Sequence, residues 1–512
     1  MKNATIKAFT LLLALMLLLA SLSAAIAQGA TAIEDTLVVG INAEPTHLAG
    51  ILQSVDPNRK VDANIYNKLV KFDTETNEVV PDLAESWEMV DETTWKFHIR
   101  EGVKFHNGET LTAEDCLFSI QNNTYTWMWG AIDRENSYCE DDYTLVVKTY
   151  ETYPALINML SSECPIVCKS AWEELGEDGF SRNPVGTGPY KFVEWIAGDS
   201  VILVRFDEYW GEPAYYKNLV FRFIVDDTTR SLSLENGEID IAQDLPDSQV
   251  QYLEMTGTVN IISYPSLSMD YIGFNCQKAP FNDARVRQAM RYALGLEGMV
   301  KIAYGSTATV ADGICSPTFV DYKPAEGEYA YTYDLEKAKE LLAEAGYPDG
   351  FTCKLMVTSK QSRVDMVEML QNAWSQLGIT IEIYVTEIGN YYDIMASGDF
   401  DMFYGGWVLL ANEGDLMHDT FYSSENLWYN TNLAAYANPE FDALVDAARV
   451  EEDAAVRADY YGQVQDLIRA ELPFIPCAWV NKVNGIKNTL TGMETEPSNY
   501  PLLAYVHPVA ED

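Results

Sequence analysis

Two rhythms of apolar residues alternate along this chain. Thr36–Asn42 carries Leu37, Val38, Val39 and Ile41 and predicts a strand, and Trp95–Arg100 alternates apolar with polar as a half-buried strand does. From Leu111 to Asn122 the spacing is helical, with a start signal at Thr112 and the acids Glu114 and Asp115 in the first turn. Asp334 is placed to cap an amphipathic helix over Leu335–Ala345, which Gly346 stops and Pro348 follows. Val364–Leu377 predicts another helix, ended by Gly378, and Ile379–Val385 then alternates as a strand. Pro439–Ala448 and Ala454–Ala470 predict two more helices. Helix, glycine and strand in succession imply an α/β architecture with mixed sheets. No internal repeat or low-complexity linker marks a domain boundary.

The first residues follow a different pattern. Lys2 and Lys7 precede an uncharged apolar run, Ala8–Ala20, and a small-residue stretch ends at Ala25-Ile26-Ala27. This reads as a secretory signal over residues 1–27. As a membrane anchor the run is short, since a bilayer span needs about 20 residues. Gln28 stands where a lipoprotein would carry cysteine, so the expected product is exported, periplasmic or extracellular, without a lipid anchor. Its length suits two or three lobes.

The net charge of −43, from 34 basic and 77 acidic residues, repels phosphate backbones and argues against a nucleic-acid partner. Apolar residues make up 48%, which is enough for a packed core. Eight cysteines are too sparse for a disulfide framework, although export permits a bridge or two, and the Cys164/Cys168 spacing fits neither zinc nor thioredoxin-type motifs. The five histidines do not cluster, so no metal and no cofactor is expected. No nucleophile elbow or phosphate-binding loop occurs, and Gly186-Thr187-Gly188 leads into a strand rather than a helix. Carboxylate pairs occur by chance among so many acids. The chain is therefore expected not to be an enzyme. Aromatic side chains are plentiful, with 11 Trp, 31 Tyr and 19 Phe, and such side chains suit a cleft that holds a ligand without reacting it.

An ordered series of motifs narrows the reading. Tyr66-Asn67-Lys68-Leu69-Val70 precedes Pro81-Asp82-Leu83-Ala84-Glu85-Ser86-Trp87, then Trp95-Lys96-Phe97-His98-Ile99-Arg100 and Gly102-Val103-Lys104-Phe105-His106-Asn107-Gly108. Later come Gly186-Thr187-Gly188-Pro189-Tyr190, Tyr209-Trp210, Asn236-Gly237-Glu238-Ile239-Asp240, Pro280-Phe281-Asn282-Asp283 and Asn438-Pro439-Glu440-Phe441. In this order the chain resembles the extracytoplasmic solute-binding proteins of family 5, which serve bacterial dipeptide, oligopeptide and nickel ABC importers. The resemblance implies a periplasmic-binding-protein-like fold of two hinged, ligand-gripping lobes and an inserted third. By segment order, lobe I takes residues 30–55, 182–270 and 486–512, the inserted lobe II 56–181, and lobe III 271–485. The motif residues themselves, His106 included, read as scaffold.

The implied function is capture of a solute, foremost a short peptide, by hinged closure, and its transfer as a monomer to an ABC permease in the membrane. Peptide-binding relatives carry a Gly-Trp-x-x-Asp loop whose Asp grips the peptide's amino terminus. Here Trp407 matches and Leu410 stands in the Asp position, so either Glu413 or Asp415 moves in, beside Asn412, or the ligand has no amine and is an oligosaccharide. Segment position adds Glu44, Tyr271, Asn275 and Tyr392 as candidate cleft residues. The rival readings are a secreted glycan hydrolase and a sensor that docks to a membrane receptor. Nickel or haem carriage lacks the histidines.

Overall fold

The computed structural model describes residues 35–53, 55–73, 76, 78–124, 130–408, 432–493 and 500–510. An eleven-stranded mixed sheet organises the molecule. From one edge its order is Thr380–Thr386, Thr352–Thr358, Met402–Val408, Val259–Phe274, Phe474–Lys487, Ile241–Ala242, Thr36–Ile41, Asn218–Phe223, Ser200–Arg205 and Tyr190–Ile196, with Ala308–Val310 paired onto Phe474–Lys487.

The two long strands at the centre, Val259–Phe274 and Phe474–Lys487, are antiparallel partners along most of their length. Residues 259–264 pair with 482–487 beside Ile241–Ala242, and residues 268–273 pair with 474–480 beside Met402–Val408. The register breaks between Tyr264 and Ser268. These hinge strands join two bodies, and the crossing falls at residues 265–267 and 481.

Period-two alternation builds the second body. Ile272, Phe274, Leu355, Val357, Met402 and Tyr404 point to one face and pack with helices Ala284–Tyr292, Leu296–Tyr304 and Gln361–Ser375. Met269, Tyr271, Met356 and Phe403 point to the other and join a cluster that includes Phe441, Tyr461 and Ile468 of helices Pro439–Val450 and Ala454–Glu471. Residues 56–181 contain a separate four-stranded antiparallel sheet (Ala84–Asp91, Thr94–Ile99, Thr144–Thr149, Ile132–Asp141) with helix Ala113–Asn122 beside it. A capping box between Thr112 and Asp115 starts that helix. All eight cysteines are unbridged. Among the described residues no helix is long and apolar enough to cross a membrane.

The Gly186-Thr187-Gly188 motif is a docking point for the insertion. A Cβ at Gly186 would lie 2.2 Å from the Ile65 carbonyl oxygen, and one at Gly188 2.5 Å from its carbonyl carbon, so only glycine permits the backbone contact Gly188 N–H to Ile65 O (2.8 Å). His106 locks this contact: Gly186 N–H donates to Nδ1 (3.3 Å), which leaves Nε2–H to donate to Gly188 O (3.0 Å). Burial lowers the imidazole pKa to about 4. The unfolded chain takes up this proton near pH 6.5, whereas the folded chain refuses it until about pH 4, so stability falls as the pH drops between those values. At ~1.4 kcal/mol per unit the loss is about 3 kcal/mol. Urea midpoints measured at pH 7 and pH 4.5 should show it, and His106→Gln should flatten that part of the profile.

Candidate binding site

A cleft of about 1340 Å3 opens between the two bodies, alongside the hinge strands. On the N-terminal side it is lined by the turn at Asp244 and by one face of helix Asp247–Thr256, where Asp247, Gln251 and Glu254 recur at helical spacing. On the other side stand the C-terminal end of helix Leu296–Tyr304 and the N-terminal turn of helix Gln361–Ser375. Arg230, Lys301, Lys360, Arg363 and Lys482 line the space against six acids. In a chain with 34 basic and 77 acidic residues this near-balance marks a local enrichment in cations.

Arg363 is the centre of the second wall. Its Nη2 and Nε bond the two oxygens of Asp270 at 2.7 and 3.1 Å, and its Nη1 donates to Thr358 Oγ1 at 3.3 Å. Tyr304 donates to Asp270 Oδ2 at 2.7 Å and lies 3.0 Å from the Tyr404 hydroxyl. Burial opposes the Arg363 charge, but the Asp270 carboxylate outweighs it and raises the guanidinium pKa further. Strand Met402–Val408 makes room for this pair through Gly406, where a Cβ would sit 2.1 Å from Arg363 Nη2 and 2.3 Å from Asp270 Oδ1.

The helix that carries Arg363 has Lys360 at its N-cap with no side-chain cap, and its first turn, Gln361–Arg363, lines the cleft. Ser362, in the same turn, lines the cleft and is 6% exposed, and its Oγ has no hydrogen-bond partner among the described residues. Lys360 Nζ stands 5.9 Å from the Tyr304 ring centroid and pairs with no carboxylate among the described residues. Arginine, lysine, a free hydroxyl and a helix N-terminus together make a receptor for an anionic oxygen group.

The hinge end of the cleft holds four interlocked charges. Asp244 pairs with Lys60 and with Lys482 (3.3 Å), and Asp56 pairs with the same two lysines, at 3.2 Å to Lys482. Burial works against both carboxylates, yet the two lysines hold each below the usual range. Burial likewise opposes the Lys482 charge, and Asp244 and Asp56 outweigh it and raise its pKa. The Asp244 backbone is left-handed (φ 52°) and is pinned on both sides: its N–H donates to Asn484 Oδ1 (3.0 Å), and its carbonyl accepts from Arg230 Nη2 (2.7 Å). Across the cleft, Thr307 Oγ1 donates to Asp247 Oδ1 at 2.6 Å and ties the two bodies near the hinge.

Of the residues singled out in the sequence, Trp407 and Tyr392 line this cleft. Tyr271 and Asn275 do not. Tyr271 is 3% exposed and meets Phe403 and Phe474 edge-on, because on an alternating strand its side chain points away from the wall that its neighbour Asp270 occupies. Asn275 is buried and donates to the carbonyls of Gly398 and Phe400, fixing a turn. Glu44 accepts from Trp195 Nε1 (2.9 Å) and Gly198 N–H (3.1 Å), away from the cleft, and it is Asn42 that reaches the lining. Leu410, Asn412, Glu413 and Asp415 lie outside the described residues. Asp270, Ser362, Arg363 and Lys482 escaped the sequence reading. The only signal for them was the phase of one strand and the start of one helix.

The chain and its fold have known relatives. The family model described as "Bacterial extracellular solute-binding proteins, family 5 Middle" matches residues 78–428. The dipeptide-binding protein of Escherichia coli K12 is 27% identical, with 85% of this chain and 87% of that protein aligned. The glutathione-binding protein GsiB of Shigella dysenteriae is 30% identical over 81% of this chain and 83% of its own. Among solved structures, the ABC transporter-associated periplasmic binding protein DppA from Helicobacter pylori, in complex with the peptide STSA, superposes with a TM-score of 0.76 at 27% identity, covering 92% of this chain and 98% of that one.

Proposed function

The chain belongs to the bacterial extracellular solute-binding proteins of family 5, and from that premise we propose that it closes on a short peptide between its two bodies and releases it, unaltered, to the membrane permease of an ABC importer. The relatives named for dipeptide and glutathione, and the H. pylori protein bound to STSA, support a peptidic ligand. The observation that carries the reading is the cationic turn Lys360–Arg363, with the Ser362 hydroxyl inside it, which has no partner among the described residues. It suits a peptide's terminal carboxylate, which needs donors and positive charge once water is excluded.

The ammonium end requires acids, and the helix face of Asp247 and Glu254 supplies them on the opposite wall. Glu413 and Asp415, which follow Trp407 in the chain, are the alternative. A ligand gripped by both walls is satisfied only when they approach, so its binding favours the closed form. No step of this cycle makes or breaks a covalent bond.

Titration calorimetry with Ala-Ala-Ala and with its C-terminal amide tests the reading. The free acid should bind at least tenfold more tightly. Equal affinities would remove the carboxylate receptor, and failure of any short peptide to bind would remove the peptide.

A further inference from the structure

A second cavity, of about 660 Å3, runs outward from the cleft between helices Leu296–Tyr304 and Gln361–Ser375. It shares Ile302 and Asp365 with the main cleft, so the two spaces adjoin at these side chains. Its bed is apolar: Ala293, Met299, Met369 and Ala373 lie along it, and Ile302 is 75% exposed at its mouth. Its edge is acidic and polar, with Asp365, Glu368, Asn372 and Gln376 following one stripe of the second helix away from the cleft. Asp365 Oδ1 accepts from Gln361 at 2.6 Å, and Glu368 makes no ion pair or hydrogen bond among the described residues.

A groove with an apolar bed and an anionic edge matches a side chain that has an aliphatic stem and a cationic tip. The carboxylate receptor stands at the start of the same helix, so a peptide anchored there presents its last residue to the mouth of the groove. We propose that the groove is the pocket for the C-terminal side chain and selects peptides ending in lysine or arginine. The stem would lie over Met299, Ile302 and Met369, with the charge against Asp365 and Glu368. This inference rests on the peptide reading above and adds to it a ligand class.

The test is calorimetric titration of the full chain with Ala-Ala-Arg, Ala-Ala-Ala and Ala-Ala-Glu, repeated on Glu368→Lys and Asn372→Trp. Both substitutions are at exposed positions of the helix, and melting curves establish that each variant is folded. For the parent chain Ala-Ala-Arg should bind about tenfold more tightly than Ala-Ala-Ala, with Ala-Ala-Glu the weakest, a step equivalent to about 1.4 kcal/mol. In Glu368→Lys and Asn372→Trp the Arg-to-Ala ratio should fall to about one. Binding of Ala-Ala-Ala with no preference for arginine overturns the pocket and leaves the peptide reading standing. A preference that survives both substitutions also overturns it, since the selecting contacts would then lie outside the groove. Failure of all three peptides to bind overturns both.

Discussion

Arg363→Ala should reduce affinity for Ala-Ala-Ala by two to three orders of magnitude, and should also weaken the fold. The binding loss follows from removing the one guanidinium in the carboxylate receptor, since hydrogen bonds to charged groups contribute about 1.5–3 kcal/mol each and the remaining Lys360 is a single mobile charge. The stability loss has a different origin. The Asp270 side chain is 3% exposed, and without Arg363 the Tyr304 hydroxyl is its one remaining side-chain partner among the described residues. Removing one partner of a buried ion pair costs about 3–5 kcal/mol. The two effects separate in the double variant Asp270→Asn/Arg363→Gln, in which no charge is stranded. It should recover most of the urea midpoint and none of the affinity. Recovery of both would show that Arg363 only positions the wall.

Asp244→Ala should be the most damaging change away from the ligand. It leaves Lys60, whose side chain is 3% exposed, and Lys482 sharing the single carboxylate of Asp56. Two cations against one anion in a half-buried site should cost about 3 kcal/mol, the lower end of the buried-pair range because Asp244 and Lys482 are partly open to the cleft. The substitution also places alanine, which tolerates a left-handed backbone less well than aspartate, at a φ of 52° that the Asn484 and Arg230 contacts to the backbone hold in place. Because the Asp244 carboxylate is held well below its usual value, the network's contribution is complete above about pH 4 and is lost only as the pH falls further. Denaturant titration of the variant at pH 7 measures the effect, and a change under about 1 kcal/mol would show that the four charges do not act together.

Much of the architecture could be read from the chain. The first strand, the half-buried strand at Trp95, the helix capped by Asp334 and the helices after Pro439 and Ala454 all announce themselves by period and by capping residues. Asp334 does accept from the Lys337 N–H at 2.9 Å, and Gly346 sits at φ 94°. The site was less visible for two local reasons. The helix expected from Val364 begins at Gln361, and its start is unmarked because Lys360 is no capping residue. The missed turn is the one that holds Ser362 and Arg363. On the hinge strand, Tyr271 drew attention as an aromatic, while the cleft belongs to Asp270 beside it. Period-two alternation gives two faces but does not say which of them a second lobe will cover. The charge network at Asp244 joins residues 56, 60, 244 and 482, and no local pattern in the chain connects those positions.

The paired strands that cross at residues 265–267 and 481 restrict what kind of motion the molecule can make. Each strand is laddered to the other on both sides of the crossing, so neither body can slide along its neighbour without a slip in register that would turn core side chains outward. What remains is torsion about the short unladdered interval, residues 265–267 and 481. The gait of the machine is thus set by its backbone and not by its cargo. Cleft walls can change from one descendant to the next while the stroke that delivers the load stays the same.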